Sequence, residues 1–350
     1  MIVITANVEI GEGMIPEHSV EAEYGDFCVE GSKKTLAHHV PKYVENDPPC
    51  VGENEKWVGD LADPREIILI SHFDLDTLGG IARLAGLKKT EGCPLGSKSG
   101  SRCQDALAMG ECHQECMADT HALFWWAAGQ IDVLGPHKLG EIRATAEKAA
   151  LQGFDMGTEA FSTASYFFDC EWEAVEDALH GFWVWSQSHR LMAPKDRAVD
   201  CTEFVQEAWR ILSLLLVSED NCQETQELLA TGREWAKAQK DLNKKSFRGA
   251  EKGVIVRVAK KFVNHLYITP DGWVGKAVVA WNNETKAITV SFDTPPEGVS
   301  AREIVQALWG PEAGGHPGIA GSPRGQKMFL EDLETAKKAV QFALLEYLLE

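Results

Sequence analysis

Two runs in the N-terminal part of the chain, IVITA at 2–6 and IILIS at 67–71, are short, apolar and rich in β-branched residues, the pattern of buried strands. Segments 141–152, 172–185, 203–217 and 222–242 instead repeat apolar residues with a helical period and hold few breakers. In EFVQEAWRILSLLLV, for example, Phe204, Ala208, Ile211 and Leu215 fall on one helix face. The pattern changes after KDLNKKSFRGAEKG at 240–253, which is basic, polar and glycine-containing. Beyond it, 254–258, 274–281 and 287–292 read as strands, and NNETK joins the last two in an expected antiparallel hairpin. Helical patterns at 300–309 and 327–349 follow, separated by GPEAGGHPGIAGSPRG, whose glycines and prolines predict no regular structure. The expectation is an α/β fold. An N-terminal α/β domain with a parallel-type sheet spans 1–240, a linker spans 241–253, and a smaller α+β domain spans 254–350.

Composition sharpens this picture in three ways. A length of 350 residues with 44% hydrophobic and 25% charged side chains suits a globular chain with two cores. The net charge of −19 predicts a uniformly acidic surface that repels nucleic-acid backbones and anionic membranes, so long nucleic acid is disfavoured as a partner. The longest apolar run, ILSLLLV at 211–217, is far shorter than the roughly 20 residues a membrane helix needs. Nine cysteines, an odd number, and the start MIVITANVEIGEG, which lacks a basic region and an apolar core, lead to the expectation of a cytoplasmic protein with reduced thiols. Oligomeric state stays open.

The candidate chemistry concentrates at IILISHFDLDTLGG. His72, Asp74 and Asp76 follow a strand pattern at the point where the chain is expected to turn, with Gly79 and Gly80 suited to such a turn. Ligands leaving the carboxyl end of a strand converge on a crevice. Oxygen donors with a histidine suit manganese first, with magnesium or zinc as alternatives, and two ions about 3.5–4 Å apart can clamp a phosphoryl group. The plainer reading is that these residues are a solvated loop capping the next helix. Two further clusters carry both readings: His38 and His39 in TLAHHVP are ligands or surface residues, and Asp119 and His121 in MADTHALFWW are ligands or a helix cap with a partly buried histidine. Cys93, Cys103, Cys112 and Cys116, with His113 nearby, could bind zinc or stay free thiols, since their spacing lacks the paired C-x2-C of common zinc sites. The clusters FWW at 124–126 and FWVW at 182–185 read as core.

Taken together, the residues resemble a known family. HFDLDTLGG is similar to the first motif of the DHH phosphoesterase superfamily, and GGHPGIAG at 314–321 is similar to the glycine-rich signature of its DHH-associated domain. The second match comes with the hairpin VGKAVVAWNNETKAITVSF and the helix AREIVQALWG before it. The resemblance implies a metal-dependent phosphoesterase that binds one or two divalent ions and acts on a small phosphorylated substrate, a nucleotide, a short oligonucleotide or a pyrophosphate, at a cleft between two domains. It implies His72, Asp74 and Asp76 as metal ligands, with Asp74 and Asp76 catalytic and Asp119 the aspartate bridging two metals. Gly314, Gly315 and His316 match the substrate loop. Arg324, just beyond it, offers a planar fork suited to phosphate. The name-giving Asp-His-His triplet is represented only by His38 and His39, preceded by Ala37 and placed before the first motif. That departure leaves open a rearranged order of elements, a divergent metal site or a loss of catalysis.

Two rival functions remain at this stage. A haloacid-dehalogenase-like phosphatase also has aspartates two apart after a strand, but Leu78 occupies the position where that class expects threonine or valine. A non-catalytic nucleotide-binding or regulatory protein would retain the cleft without a competent metal pair.

Overall fold

The computed structural model describes residues 2–5, 18–21, 23–24, 27–28, 34–38, 46–51, 67–70, 72–85, 120–151, 158–189, 191, 199–216 and 222–347. The architecture is mixed α/β, as the periodicities predict, and the chain divides into two units, Met1–Trp235 and Ala236–Glu350.

In the first unit, β1 (Ile2–Thr5), β2 (His18–Val20), β5 (Lys34–Leu36), β6 (Ile67–Ile70) and β7 (Val199–Asp200) form one sheet in the order β5-β2-β6-β1-β7. The first four are parallel, with Val3 opposite Ile68 and Val20 opposite Ile70, while β7 runs antiparallel along the edge. A separate ribbon pairs β3 (Glu23–Tyr24) with β4 (Phe27–Cys28). Helices α1 (Leu75–Leu84), α2 (Thr120–Leu134), α3 (Leu139–Ala150), α4 (Thr158–Ser188) and α5 (Thr202–Leu216) follow the strands in chain order, with β7 entering before α5.

Their shared core explains both the strand and the helix patterns. Ile68 and Ile70 of β6 meet Leu78, Ile81 and Leu84 of α1, and the same core holds Phe124, Trp172, Phe182, Ala208, Ile211 and Leu215. Each fully buried Ile, Leu or Phe among them contributes about 1.5–3 kcal/mol relative to exposure. Of the two aromatic clusters, Phe124, Trp125, Trp126, Phe182 and Trp185 are core, and Trp183 is exposed. Among the described residues, no helix is long and apolar enough to cross a membrane.

The second unit is a six-stranded mixed sheet in the order β12-β13-β11-β10-β9-β8, made of β8 (Phe247–Glu251), β9 (Val254–Ala259), β10 (Ala277–Asn282), β11 (Ile288–Phe292), β12 (Gly314–His316) and β13 (Ile319–Gly321). The hairpin β10–β11 is antiparallel as expected, from Ala277 opposite Phe292 to Trp281 opposite Ile288. Its turn is held by Asn282, whose Oδ1 accepts from the Glu284 and Thr285 amides, and Lys286 takes a φ of 62°. Helices α7 (Ala301–Trp309) and α8 (Leu330–Tyr347) cover one face through Val305, Leu333, Ala336 and Val340. On the other face, fully buried Arg257 donates five hydrogen bonds, to the Leu266, Ile268 and Asn243 carbonyls, Asn243 Oδ1 and Ser246 Oγ.

Four sequence expectations change. Residues 241–253 are not a loose linker: the helix α6 (Gln223–Ser246) runs directly into β8, and the division between units falls within that helix. The glycine-rich stretch is not irregular, because β12 and β13 pair as a short hairpin with His316 opposite Ile319. Gly315 has a φ of 152°, and a Cβ there would collide with the Ile319 carbonyl, so glycine is what lets the two strands close. Gly79 and Gly80 lie inside α1, not in a turn. The surface is not uniformly acidic either, since Lys and Arg outnumber Asp and Glu in Ala236–Glu350 and the acidic excess lies in the first unit.

Candidate metal centre

Three parallel neighbours, β5, β2 and β6, end at the same edge of the first sheet, so the residues just beyond them are brought together. Glu21 follows β2, His38 follows β5, and His72 and Asp74 follow β6. Glu21 is fully buried and takes a φ of 45°, a left-handed conformation that costs a non-glycine residue about 1–3 kcal/mol. Its amide donates to the Leu36 carbonyl at 2.8 Å, extending the β2–β5 pairing to the point where the side chain turns inward. Helix α1 then begins at Asp74, the N-cap, whose Oδ1 accepts from the Thr77 amide at 2.8 Å. The capping reading of this aspartate is therefore correct, and it leaves Oδ2 facing His72 at 3.2 Å. Asp76, in the first turn of α1, is buried and accepts the Cys50 amide on Oδ1 at 2.7 Å.

These side chains form two groups that share one carboxylate. In the inner group His38 Nε2 lies 2.9 Å from Asp132 Oδ2, 3.2 Å from Glu21 Oε1 and 3.4 Å from Asp76 Oδ2. In the outer group His72 Nε2 lies 3.1 Å from Glu21 Oε2 and 3.2 Å from Asp74 Oδ2. Thr77 Oγ1 donates to Glu21 Oε2 at 3.2 Å and fixes its orientation. Within each group one ligand atom per residue lies within 4.8 Å of every other. The inner group is buried apart from partly exposed Asp132, whereas His72 and Asp74 reach solvent, with side chains 48% and 39% exposed.

The electrostatics match a cation site. Burial by itself lowers the pKa of His38, but its bonds to Asp132, Asp76 and Glu21 outweigh burial and raise it to about 12. His72 behaves alike: burial opposes the charge, and Asp74 and Glu21 bring the pKa up to about 10. Asp76 is pushed up to about 6, mainly by burial and also by the charge of Glu21, against the lowering effect of His38 and the Cys50 amide. Three carboxylates converge on a single Nε2, which carries at most one proton. A divalent cation relieves that crowding, and the oxygen and imidazole donors fit one such as manganese, magnesium or zinc. The buried Glu/His/Asp cluster could hold a divalent metal ion.

The structure thus gathers His38, His72, Asp74 and Asp76 from the sequence candidates. His39 and Asp119 lie outside the described residues, as do Cys93, Cys103, Cys112 and Cys116, and His121 falls in the first turn of α2 with its side chain outside them too. Among the described residues, the carboxylate shared by both groups is Glu21; Asp119, the sequence candidate for a carboxylate between two metals, lies outside them. Gly314, Gly315 and His316 sit on β12 and Arg324 follows β13, all in the second unit, with His316 and Arg324 exposed.

Sequence reading passed over Glu21 and Asp132. Glu21 closes a run of only three residues, HSV, too short to register as a strand, and Asp132 is a lone acid in the apolar stretch FWWAAGQIDVL. Only Asp132 carried a usable signal, as an acid with no reason to lie on an apolar helix. No family model, curated protein or solved structure matches the chain.

Proposed function

We propose that the chain is a metal-dependent phosphoesterase of the DHH type, acting on a small phosphorylated substrate such as a nucleotide, a short oligonucleotide or a pyrophosphate. The observation that carries this reading is Glu21, which presents Oε1 to one ligand group and Oε2 to the other at the carboxyl edge of a parallel sheet. A carboxylate so shared suits two divalent cations, manganese first, side by side. When bound, such ions polarise a phosphoryl oxygen and acidify water.

The chain's own residues divide the remaining work. Glu21, His38 and Asp76, with partly exposed Asp132 at their margin, form the inner side, where charge is largely shielded from bulk water. His72 and Asp74 form the exposed side, which a substrate reaches. His316 and Arg324 are proposed to hold the substrate phosphate. That role is supported by their exposure beside a glycine hairpin and by the excess of cations over acids in their unit. Small substrates remain favoured because the ligand-bearing unit is strongly acidic.

The test is phosphate release by the purified full chain over a panel of mononucleotides, dinucleotides and pyrophosphate, with manganese added and with EDTA. Manganese-dependent turnover of one member, abolished by EDTA, is the expected result. Turnover undiminished by EDTA excludes the metal mechanism. Nucleotide binding without turnover in saturating manganese identifies a regulatory protein instead.

A further inference from the structure

Residues 46–51, NDPPCV, cross the elements that carry the inner ligands. At one end Asn46 Nδ2 donates to the carbonyl of Ala37, the residue before His38, at 3.1 Å. At the other the Cys50 amide donates to Asp76 Oδ1 at 2.7 Å, and Arg83 of α1 reaches the Val51 carbonyl at 3.4 Å. The segment is a tight turn, with the Val51 amide on the Pro48 carbonyl at 2.9 Å, and Cys50 is fully buried.

Glycines let it lie this close. A Cβ on Gly79 would collide with Cys50, one on Gly80 with Val20 and Pro49, and one on Gly129 with Val51 Cγ2. Gly79 and Gly80 are in the helix that begins with Asp74 and Asp76, and Gly129 lies one turn before Asp132 in α2.

We propose that residues 46–51 are a positioning strap that assembles the inner ligand group and sets its cation affinity. The proposal rests on the metal reading above and adds a division of labour within it. Asp76 is held by a charge-assisted bond on one oxygen, which leaves Oδ2 as its ligand atom, aimed at the same space as His38, Glu21 and Asp132. The contacts of the strap run to Ala37 beside His38, to Asp76 and to the turn before Asp132. Asp74 is fixed instead by capping α1. Loosening the strap therefore weakens the inner cation and spares the outer one. Groups that orient ligands in this way typically change metal affinity by about 10–100-fold when they are disturbed.

The experiment is a manganese titration of the full-length protein, followed by the electron paramagnetic resonance signal of free Mn2+. Wild type is expected to show a tight class of site, the inner one, and a weaker class. Gly129→Ala, which drives a methyl group into Val51, should weaken the tight class about 10–100-fold and leave the weaker class as it was. Adding Val51→Ala removes the colliding methyl and should restore tight binding, a rescue that general destabilisation does not produce. Gly140→Ala, at a helical glycine with nothing within 4 Å of the added Cβ, is the control and should bind as wild type. If Gly129→Ala fails to fold, Asn46→Ala at an exposed position tests the other end of the strap, with a smaller loss in the same direction. Wild-type manganese binding in both Gly129→Ala and Asn46→Ala, or a double variant no better than Gly129→Ala, overturns the strap. A wild-type protein that binds no manganese overturns both the strap and the metal reading. Manganese bound in the expected pattern without turnover of any phosphate ester sinks the phosphoesterase reading alone.

Discussion

Glu21 Oε1 stands 3.2 Å from His38 Nε2, each residue lying just past the end of one of two hydrogen-bonded parallel strands. The other oxygen of the same carboxylate faces His72, so one side chain serves two ligand groups.

Glu21→Gln should therefore remove more metal than any other single substitution. It takes a charge from both groups, whereas Asp132→Asn takes one from the inner group alone. Elemental analysis after manganese loading is expected to find Glu21→Gln depleted at both sites and Asp132→Asn at one. Equal loss in the two variants would mean that the groups do not share Glu21 functionally.

Asp76→Asn and Arg324→Ala should fail in different kinetic parameters. Asp76 is buried among the inner ligands, and neutralising it should lower kcat by orders of magnitude with little change in KM. Arg324 is exposed in the second unit, and its loss should raise KM about tenfold while kcat holds, as expected for a phosphate contact made equally in ground and transition states. Steady-state kinetics with the substrate found in the panel decides between them, and an unchanged KM for Arg324→Ala removes that residue from the binding site.

Arg257 is a structural cation. Its five bonds satisfy neutral acceptors, and burial drops its pKa to about 10. Arg257→Met strands the Leu266 and Ile268 carbonyls and should destabilise the second unit by about 3 kcal/mol or more. Urea unfolding followed by tryptophan fluorescence should show that loss, and manganese stoichiometry should stay at the wild-type value. A variant as stable as wild type would show that water replaces the guanidinium without cost.

Regular structure through 241–253 predicts resistance to proteolysis. Lys244 and Lys245 lie in the last turn of α6, and Arg248 lies in β8 at a bulge between Phe247 and Gly249, both of which pair with β9. Native-state trypsin digestion, read by mass spectrometry, is expected to spare all three. Early release of a fragment starting at 245, 246 or 249 would restore the linker reading.

The sequence by itself determined the elements whose cause is local. Apolar periodicity placed α5 and the β10–β11 hairpin, and HFDLD after an apolar run placed three candidate ligands, a histidine and two aspartates, after β6, with Asp74 also capping α1. It misread the GGHPG stretch, because composition rich in glycine and proline signals a loop unless a partner strand supplies hydrogen bonds, and β13 does so for β12 while β11 pairs with β13 in turn. It also misread 241–253, where polar side chains face solvent while the backbone stays in a helix and a strand.

Only the tertiary structure decided which residues meet. His38 precedes the HFDLD motif in the chain, yet it shares a site with Asp76 because β5, β2 and β6 lie side by side and end at one edge. Glu21 joins them from a three-residue strand, and Asp132 arrives on a helix packed against α1. Strand order is set by long-range pairing and by burial of a common core. Neither leaves a periodic trace in the neighbourhood of a single ligand, so the shared carboxylate becomes visible only when the sheet is assembled.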